Sequence, residues 1–360
     1  MQKLSGLSGK DAGDTQLKIK KDVYEQAEES RNKAEYNNAI GLYSKALKEC
    51  RKKSDISCIL DCYLSLGDTF RAKGDFTKAK ARYREGLNLA EAINEKYSEA
   101  DAMVGLGLSL RALGDWREAF KMINGADKLY KALHDRKGEA FSLWARAGTY
   151  RIRGDIIQAI KTYSSSLSLF RALKESSGMA YSYCGLGGSS RVGGKFADSE
   201  RYYKMANRMF DRLNDRFGRA YSFCGLGNAR RMCDDYKKAL MYFRKAETLY
   251  RKIGDRVSYA YTLWSLGTTY KMLGKMNRAI EGFKESAELF KQTKDPRGMI
   301  YCILGFGEVD YLMGDRSKAD RTLLKALKDA VRYGFKIEKR YAEILIKALD
   351  SGRGFPFNLP

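Results

Sequence analysis

The chain has one histidine, His134, and three prolines among its 360 residues. A lone histidine argues against imidazole-based metal sites and catalytic triads, whose chemistry draws on several positioned side chains. Few prolines mean few interruptions to helices. No stretch approaches the roughly 18 uninterrupted apolar residues that mark a membrane-spanning helix. The opening residues, Met1 to Lys10, lack the continuous apolar run of a secretory signal. Cysteines number seven, odd and irregularly spaced, so reduced thiols in a cytoplasmic protein are expected. Negative charge is comparatively scarce: 44 Asp and Glu face 67 Lys and Arg, a net charge of +23 that favours an acidic partner or surface. What is present in quantity, 44% hydrophobic and 31% charged residues, suits a packed helical chain and not a disordered one.

The chain repeats itself. A turn signal recurs at Ala34, Gly74, Gly114, Gly154, Gly194, Asp234, Gly274 and Gly314, forty residues apart each time. Five residues later stands a small residue: Ala39, Ala79, Ala119, Ala159, Ser199, Ala239, Ala279 or Ala319. Four further on stands a large one, as at Tyr83, Tyr163, Tyr203 and Phe243. Before the turns, apolar residues fall three and four apart, as in Tyr63, Leu66, Gly67 and Phe70, which is one helical face. The same spacing resumes afterwards in Phe76, Ala79, Tyr83 and Leu87. Each unit therefore reads as a helical hairpin, helix A then helix B. Glycine ends helix A without a Cβ penalty and the following Asp caps helix B. One hairpin cannot bury its apolar face alone, so stacked neighbours supply the core.

This pattern resembles the tetratricopeptide repeat. Its cleanest copy runs from Tyr261 to Tyr270 through Leu266-Gly267, then Leu273-Gly274, Ala279-Ile280 and Phe283. The forty-residue spacing looks like the variant found in Leu-Gly-Asn-repeat adaptors, kinesin light chains and bacterial peptide-sensing regulators. The resemblance covers roughly residues 17 to 333. It implies an all-α, right-handed α-α superhelical solenoid of about eight hairpins, acting as an interaction adaptor. The expected organisation is a disordered segment over 1–15, an array over 16–333, a capping helix over 334–350 and a tail over 351–360. Phe335, Ile337, Tyr341, Ile344, Leu345 and Ala348 lie on one face of that capping helix. The apolar tail is either disordered or docked on the array or on a partner.

The A helices of such an array line its concave side. The stripe turned away from helix B ends, repeat by repeat, in Arg31, Arg71, Arg111, Arg151, Arg191, Arg231, Lys271 and Tyr311. Seven of these eight are basic, which predicts a ladder of positive charge along the groove. The competing account is structural, since a cation at a helix C-terminus complements the dipole or pairs with a turn aspartate. The first stripe position carries Phe141, Tyr181, Tyr221, Tyr261 and Tyr301, against Asp61 and Asp101 earlier, and the next carries Trp144, Cys184, Cys224, Trp264 and Leu304. The third is mostly small or polar, Gly148, Gly188, Asn228, Thr268 and Glu308, and reads as room in the middle of the groove. Tyrosine, tryptophan and arginine are frequent binding anchors. The rings could equally pack on the preceding B helix.

Partner contacts are accordingly expected from Arg71, Arg111, Arg151, Arg191, Arg231 and Lys271, with the five rings of the first position, Trp144, Trp264 and Asn228. The occupant that fits is a protein segment of acidic or apolar character, because arginine recognises carboxylates bidentately. A single-stranded nucleic acid or other polyanion is the alternative. Self-association stays open. Chaperone-tail binding through a carboxylate clamp is disfavoured, because its Lys and Asn places hold Leu64, Val104, Trp144 and Cys184, with only Asn228 similar. Asn228 is also the only Asn directly after a Leu-Gly pair.

Catalysis lacks its ingredients. Gly185, Gly187 and Gly188 mimic a phosphate loop, but no strand precedes them and they occupy packing positions. Cys58 and Cys62 share a helical face without an evident further ligand, so no metal or other cofactor is expected. Cys184 and Cys224 face the groove and read as inert thiols or ligand contacts. The chain is expected to be a non-enzymatic adaptor.

Overall fold

A computed structural model describes residues 16–351 and 357–359. The expected disorder of 1–15 lies outside the described residues. Helices α1 (Gln16–Asn32) to α6 build three hairpins, with α2 (Tyr36–Lys52), α3 (Ile56–Lys73), α4 (Phe76–Ala92), α5 (Lys96–Ala112) and α6 (Trp116–Ala132). Three more follow in α7 (Arg136–Arg153), α8 (Ile156–Ala172), α9 (Ser176–Val192), α10 (Phe196–Arg212), α11 (Arg216–Arg231) and α12 (Tyr236–Ile253). The last two are α13 (Arg256–Met272) with α14 (Met276–Thr293), and α15 (Pro296–Leu312) with α16 (Arg316–Tyr333). A single helix, α17 (Lys336–Ser351), closes the all-α solenoid.

Both kinds of turn have local causes. Between helices A and B, Gly74 (φ 82°) and Gly154 (φ 97°) take the left-handed conformation that favours glycine. Asp75 and Asp115 then accept a hydrogen bond from the backbone N–H three residues on, at Lys78 and Glu118. Between B and the next A helix a second turn recurs with the same period. Ser54, Asn94, His134, Lys174 and Asn214 there adopt positive φ, each followed by an acid, and Asp55, Glu95, Asp135 and Asp215 cap the next helix. The lone histidine is thus a turn residue.

Within a hairpin, the small residues after the first turn, Ala39 to Ala319, are fully buried at the helix crossing. The large residue beside each fills the space between repeats. The Tyr203 ring lies between Gly187 of α9 and Gly225 of α11. Tyr163 lies in the same way against Gly185, and Phe283 between Gly267 and Gly305. These glycines are packing positions that bring ring and backbone together.

The superhelix closes on itself. Its first helical turn meets the later repeats, so that Gly74 faces Val257 and Gly114 faces Pro296 and Tyr333. Trp116 Nε1 donates to the Tyr333 carbonyl at 3.0 Å, with the guanidinium of Arg117 4.2 Å from the indole centre. Lys336 Nζ reaches Asp155 at 2.8 Å. Trp116→Ala is expected to cost about 1–3 kcal/mol, the range of most destabilising substitutions. It should also enlarge the radius of gyration in small-angle scattering; an unchanged radius would mean the indole does not hold the two turns together.

Candidate binding groove

The ends of the A helices converge on a central cavity of about 1150 Å³. Arg31, Arg71, Arg111, Arg151 and Arg191 all line it. Their surroundings differ, and the difference comes from the third stripe position one repeat later. Arg31 reaches Asp68 at 3.4 Å and also pairs with Glu28. Lys271 meets Glu308 at 2.7 Å, on the same spacing of 37 residues. Arg111 instead leans over Gly148, where a Cβ would lie 2.2 Å from its Nη1, while a Cβ at Gly188 would lie 3.1 Å from Tyr203 Oη and 3.5 Å from Arg151 Nη1. Two of the small residues expected to leave room, Gly148 and Gly188, thus have the preceding arginine against them.

The middle arginines therefore carry charge with little compensation. Arg71 bonds Asp68 at 3.3 Å and Tyr83 Oη at 3.2 Å, so this rung is neutralised within its own helix pair and not by the turn aspartate. Arg111 donates to the Ala145 carbonyl at 3.1 Å. Burial, with the nearby positive charges of Arg151 and Arg71, pushes its pKa down to about 10, yet it stays charged at neutral pH. Arg151 Nε and Arg191 Nη1 are buried without a hydrogen-bond partner. Such atoms are costly unless something else satisfies them.

The aromatic positions tie neighbouring repeats together, and several of them face the cavity as well. Tyr181 Oη donates to Asp215 at 2.8 Å and Tyr261 Oη to Asp295 at 2.9 Å, bonding each ring to the cap of the next repeat. Arg297 donates to Tyr301 Oη at 2.9 Å. Trp144 Nε1 donates to the Tyr181 carbonyl at 3.3 Å, and Trp264 Nε1 to the Tyr301 carbonyl at 3.0 Å. Phe141 stacks on Trp144, their centroids 5.8 Å apart, and neither lines the cavity. Asn228 lines the wall, but its amide is engaged with the Cys224 carbonyl and Ser265. Tyr181, Tyr221, Tyr261, Tyr301 and Trp264 present surface to the cavity while mostly serving contacts between repeats.

Arg231 and Lys271 do not stand open in the groove, because the tail covers them. Their exposures are 0% and 2%. Both Arg231 Nη atoms reach the Leu359 carbonyl at 3.3 Å, and Nη1 also bonds Asn358 Oδ1. Burial and the charge of Arg191 push the Arg231 pKa down to about 10. Lys271 Nζ donates to the Phe357 carbonyl at 2.6 Å.

The cysteines depart from expectation as well. Cys50 and Cys58 form a disulfide across the short turn between α2 and α3, against the expected reduced thiols. All three sulfurs of Cys50, Cys58 and Cys62 lie within 4.8 Å of one another, so a third cysteine does join the pair on α3. Sequence spacing hid it because Cys50 belongs to the preceding helix. Cys184 is buried outside the cavity wall, which only Cys224 of the two reaches, and burial raises both thiol pKa values.

Residues 60–93 and 217–292 match family models described as tetratricopeptide repeat. No curated protein matches the chain. Among solved structures, the Rap conjugation gene regulator of the plasmid pLS20, in complex with the Phr* peptide, aligns with a TM-score of 0.66 at 13% identity, over 94% of this chain and 98% of its own. A Rap protein complexed with competence and sporulation factor aligns at 0.60 and 13% identity, over 93% and 98%. The Cut9–Hcn1 hetero-tetramer of the APC/C aligns at 0.62 and 17% identity, over 91% of this chain and 57% of that one. At these identities the likeness is one of fold.

Proposed function

Because the chain is built of tetratricopeptide repeats, we propose that it is a non-catalytic adaptor holding an extended segment of a partner protein in its central cavity. The segment places carboxylates or carbonyls on Arg111, Arg151 and Arg191, and apolar groups against Tyr221 and Trp264. One observation carries this reading: Arg151 and Arg191 both line the cavity, and each buries a guanidinium nitrogen that has no hydrogen-bond partner. An unsatisfied donor of this kind costs roughly 1–3 kcal/mol, so these two guanidinium groups gain by turning toward a ligand that brings acceptors. The cavity, about 1150 Å³, exceeds the roughly 300–1,000 Å³ of ordinary small-molecule sites and suits a short stretch of chain. The pLS20 Rap regulator, similar in fold, is described with a bound peptide, which supports the same class of ligand here.

A single-stranded nucleic acid would need ring faces free to stack bases. Trp264 and all five rings of the first position instead contact other rings of the array, as Tyr181 does with Phe210 and Tyr221 with Phe217. The test compares three labelled probes by fluorescence anisotropy: a peptide with two carboxylates, its amide twin and an oligothymidine. The acidic peptide is expected to bind best, with each carboxylate worth roughly tenfold or more, from the ~1.5–3 kcal/mol of a charged hydrogen bond. Tighter binding of the oligonucleotide with a steep salt dependence would overturn the reading in favour of nucleic acid.

A further inference from the structure

We propose that the C-terminal end of the groove is a second peptide subsite, specific for an aromatic–Asn–Leu segment held by its main-chain carbonyls, and that the chain's own Phe357, Asn358 and Leu359 fill it in cis. The inference rests on the peptide-adaptor reading and adds to it a ligand pattern and a tethered competitor.

The last three rungs of the ladder all hold the tail. Lys271 Nζ donates to the Phe357 carbonyl at 2.6 Å, and Arg231 donates to the Leu359 carbonyl at 3.3 Å and to the Asn358 amide oxygen. Tyr311 meets the Phe357 ring with centroids 6.0 Å apart. Asn358 Nδ2 donates back to the Arg231 carbonyl at 2.9 Å and to Asp234 Oδ1 at 3.1 Å. The amide side chain is thus read as both donor and acceptor, which Asp or Leu would not satisfy. Phe357 and Leu359 border a small cavity walled by Trp264, Leu304, Tyr341 and Leu345, which supplies the apolar part of the recognition.

This is ligand-binding geometry, not the packing of a cap. The helix that closes the array is α17, fixed by the buried ion pair of Arg297 and Glu338 at 2.7 Å and by an apolar face around Tyr341 and Leu345. The tail adds three residues of irregular backbone, half-buried, with Phe357 and Leu359 packed on that end. Its contacts fall on the same repeat position that lines the open cavity earlier in the array. Trp264 and Tyr301 border both spaces, so the tail subsite continues the groove. A partner segment running along Arg151 and Arg191 meets the tail at Arg231. Departure of the tail leaves two buried cations without their carbonyl acceptors, so the site favours exchange for another segment of like pattern over standing empty.

A short linker holds the tail at high effective concentration, so a competing segment sees only the open fraction of molecules. The experiment uses full-length chains and a labelled heptapeptide of residues 354–360, Gly-Phe-Pro-Phe-Asn-Leu-Pro. Asn358→Ala, which keeps both apolar anchors, and the triple change of Phe357, Asn358 and Leu359 to Ala should each bind the probe more tightly than wild type. The triple variant should gain about tenfold or more, the gain when no more than about a tenth of wild-type molecules are open. Adding Arg231→Ala should abolish that gain. Variants that keep their helical circular dichroism yet bind the probe no better than wild type would overturn the proposal. So would a fall in melting temperature as the only effect of Asn358→Ala. Arg151 and Arg191 are intact throughout, so failure here leaves acidic-peptide binding at those rungs standing.

Discussion

Gly225→Ala should destabilise the array by about 1–3 kcal/mol, although the same change in an exposed helix gains about 1 kcal/mol. The added Cβ would lie 2.1 Å from Cε1 of Tyr203 and 2.3 Å from Cδ1 and Cζ. The ring cannot step aside, because on its other side a Cβ at Gly187 would already be 2.8 Å from Cδ2. Removing the ring is costly too: Tyr203→Ala empties a site that is only 6% exposed and should cost about 3–5 kcal/mol. The informative measurement is the double-mutant cycle by thermal or urea unfolding. Gly225→Ala in the Tyr203→Ala background should cost little or stabilise, giving a coupling of at least about 1 kcal/mol. Additive losses would mean that the glycine is there for another reason than ring clearance.

Reversing the two unpaired rungs should have the largest effect on binding. Arg151→Glu with Arg191→Glu removes two charge-assisted contacts, each worth ~2 kcal/mol, so affinity for an acidic peptide should fall on the order of a thousandfold. The melting temperature should stay level or rise. Arg111, Arg151 and Arg191 succeed one another along one cavity wall, and the reversal exchanges like-charge repulsion for attraction to Arg111. Arg71→Glu makes the control, because it breaks the Asp68 pair and the Tyr83 bond and should lower stability. A double reversal that melts as early as the Arg71 variant would mean that the inner rungs are structural. Arg231 is unsuited to this test, since its change also releases the tail.

The repeat was legible because packing is local: Ala at the crossing and an aromatic four residues on recur at a fixed interval. The second turn was equally legible in the acids at 55, 95, 135, 175, 215, 255 and 295, but only the turn before Asp255 carries a glycine, Gly254, to announce it. The ladder could be placed on its helices, whereas its pairing could not. That depends on a residue 37 positions later, Asp68 or Glu308 at the ends and Gly148 or Gly188 between. Tyrosine and tryptophan looked like ligand anchors because the same rings and donors serve both purposes; Trp264 spends its N–H on the Tyr301 carbonyl. Contacts such as Lys336 with Asp155 join residues 181 apart, and no periodicity of forty foretells which repeats meet after a full superhelical turn.

The bond from Trp116 to Tyr333 links the third repeat to the eighth. An open row of hairpins has only nearest-neighbour ties, so it can lengthen or shorten by whole units and fray from either end. Here a unit inserted or deleted between the two residues would carry the indole past its acceptor, and every pairing across the seam would slip with it. A unit gained or lost inside this stretch therefore forfeits the contacts across the seam, such as Trp116 with Tyr333 and Lys336 with Asp155. The repeat number is a fixed dimension of the molecule, like the stave count of a barrel.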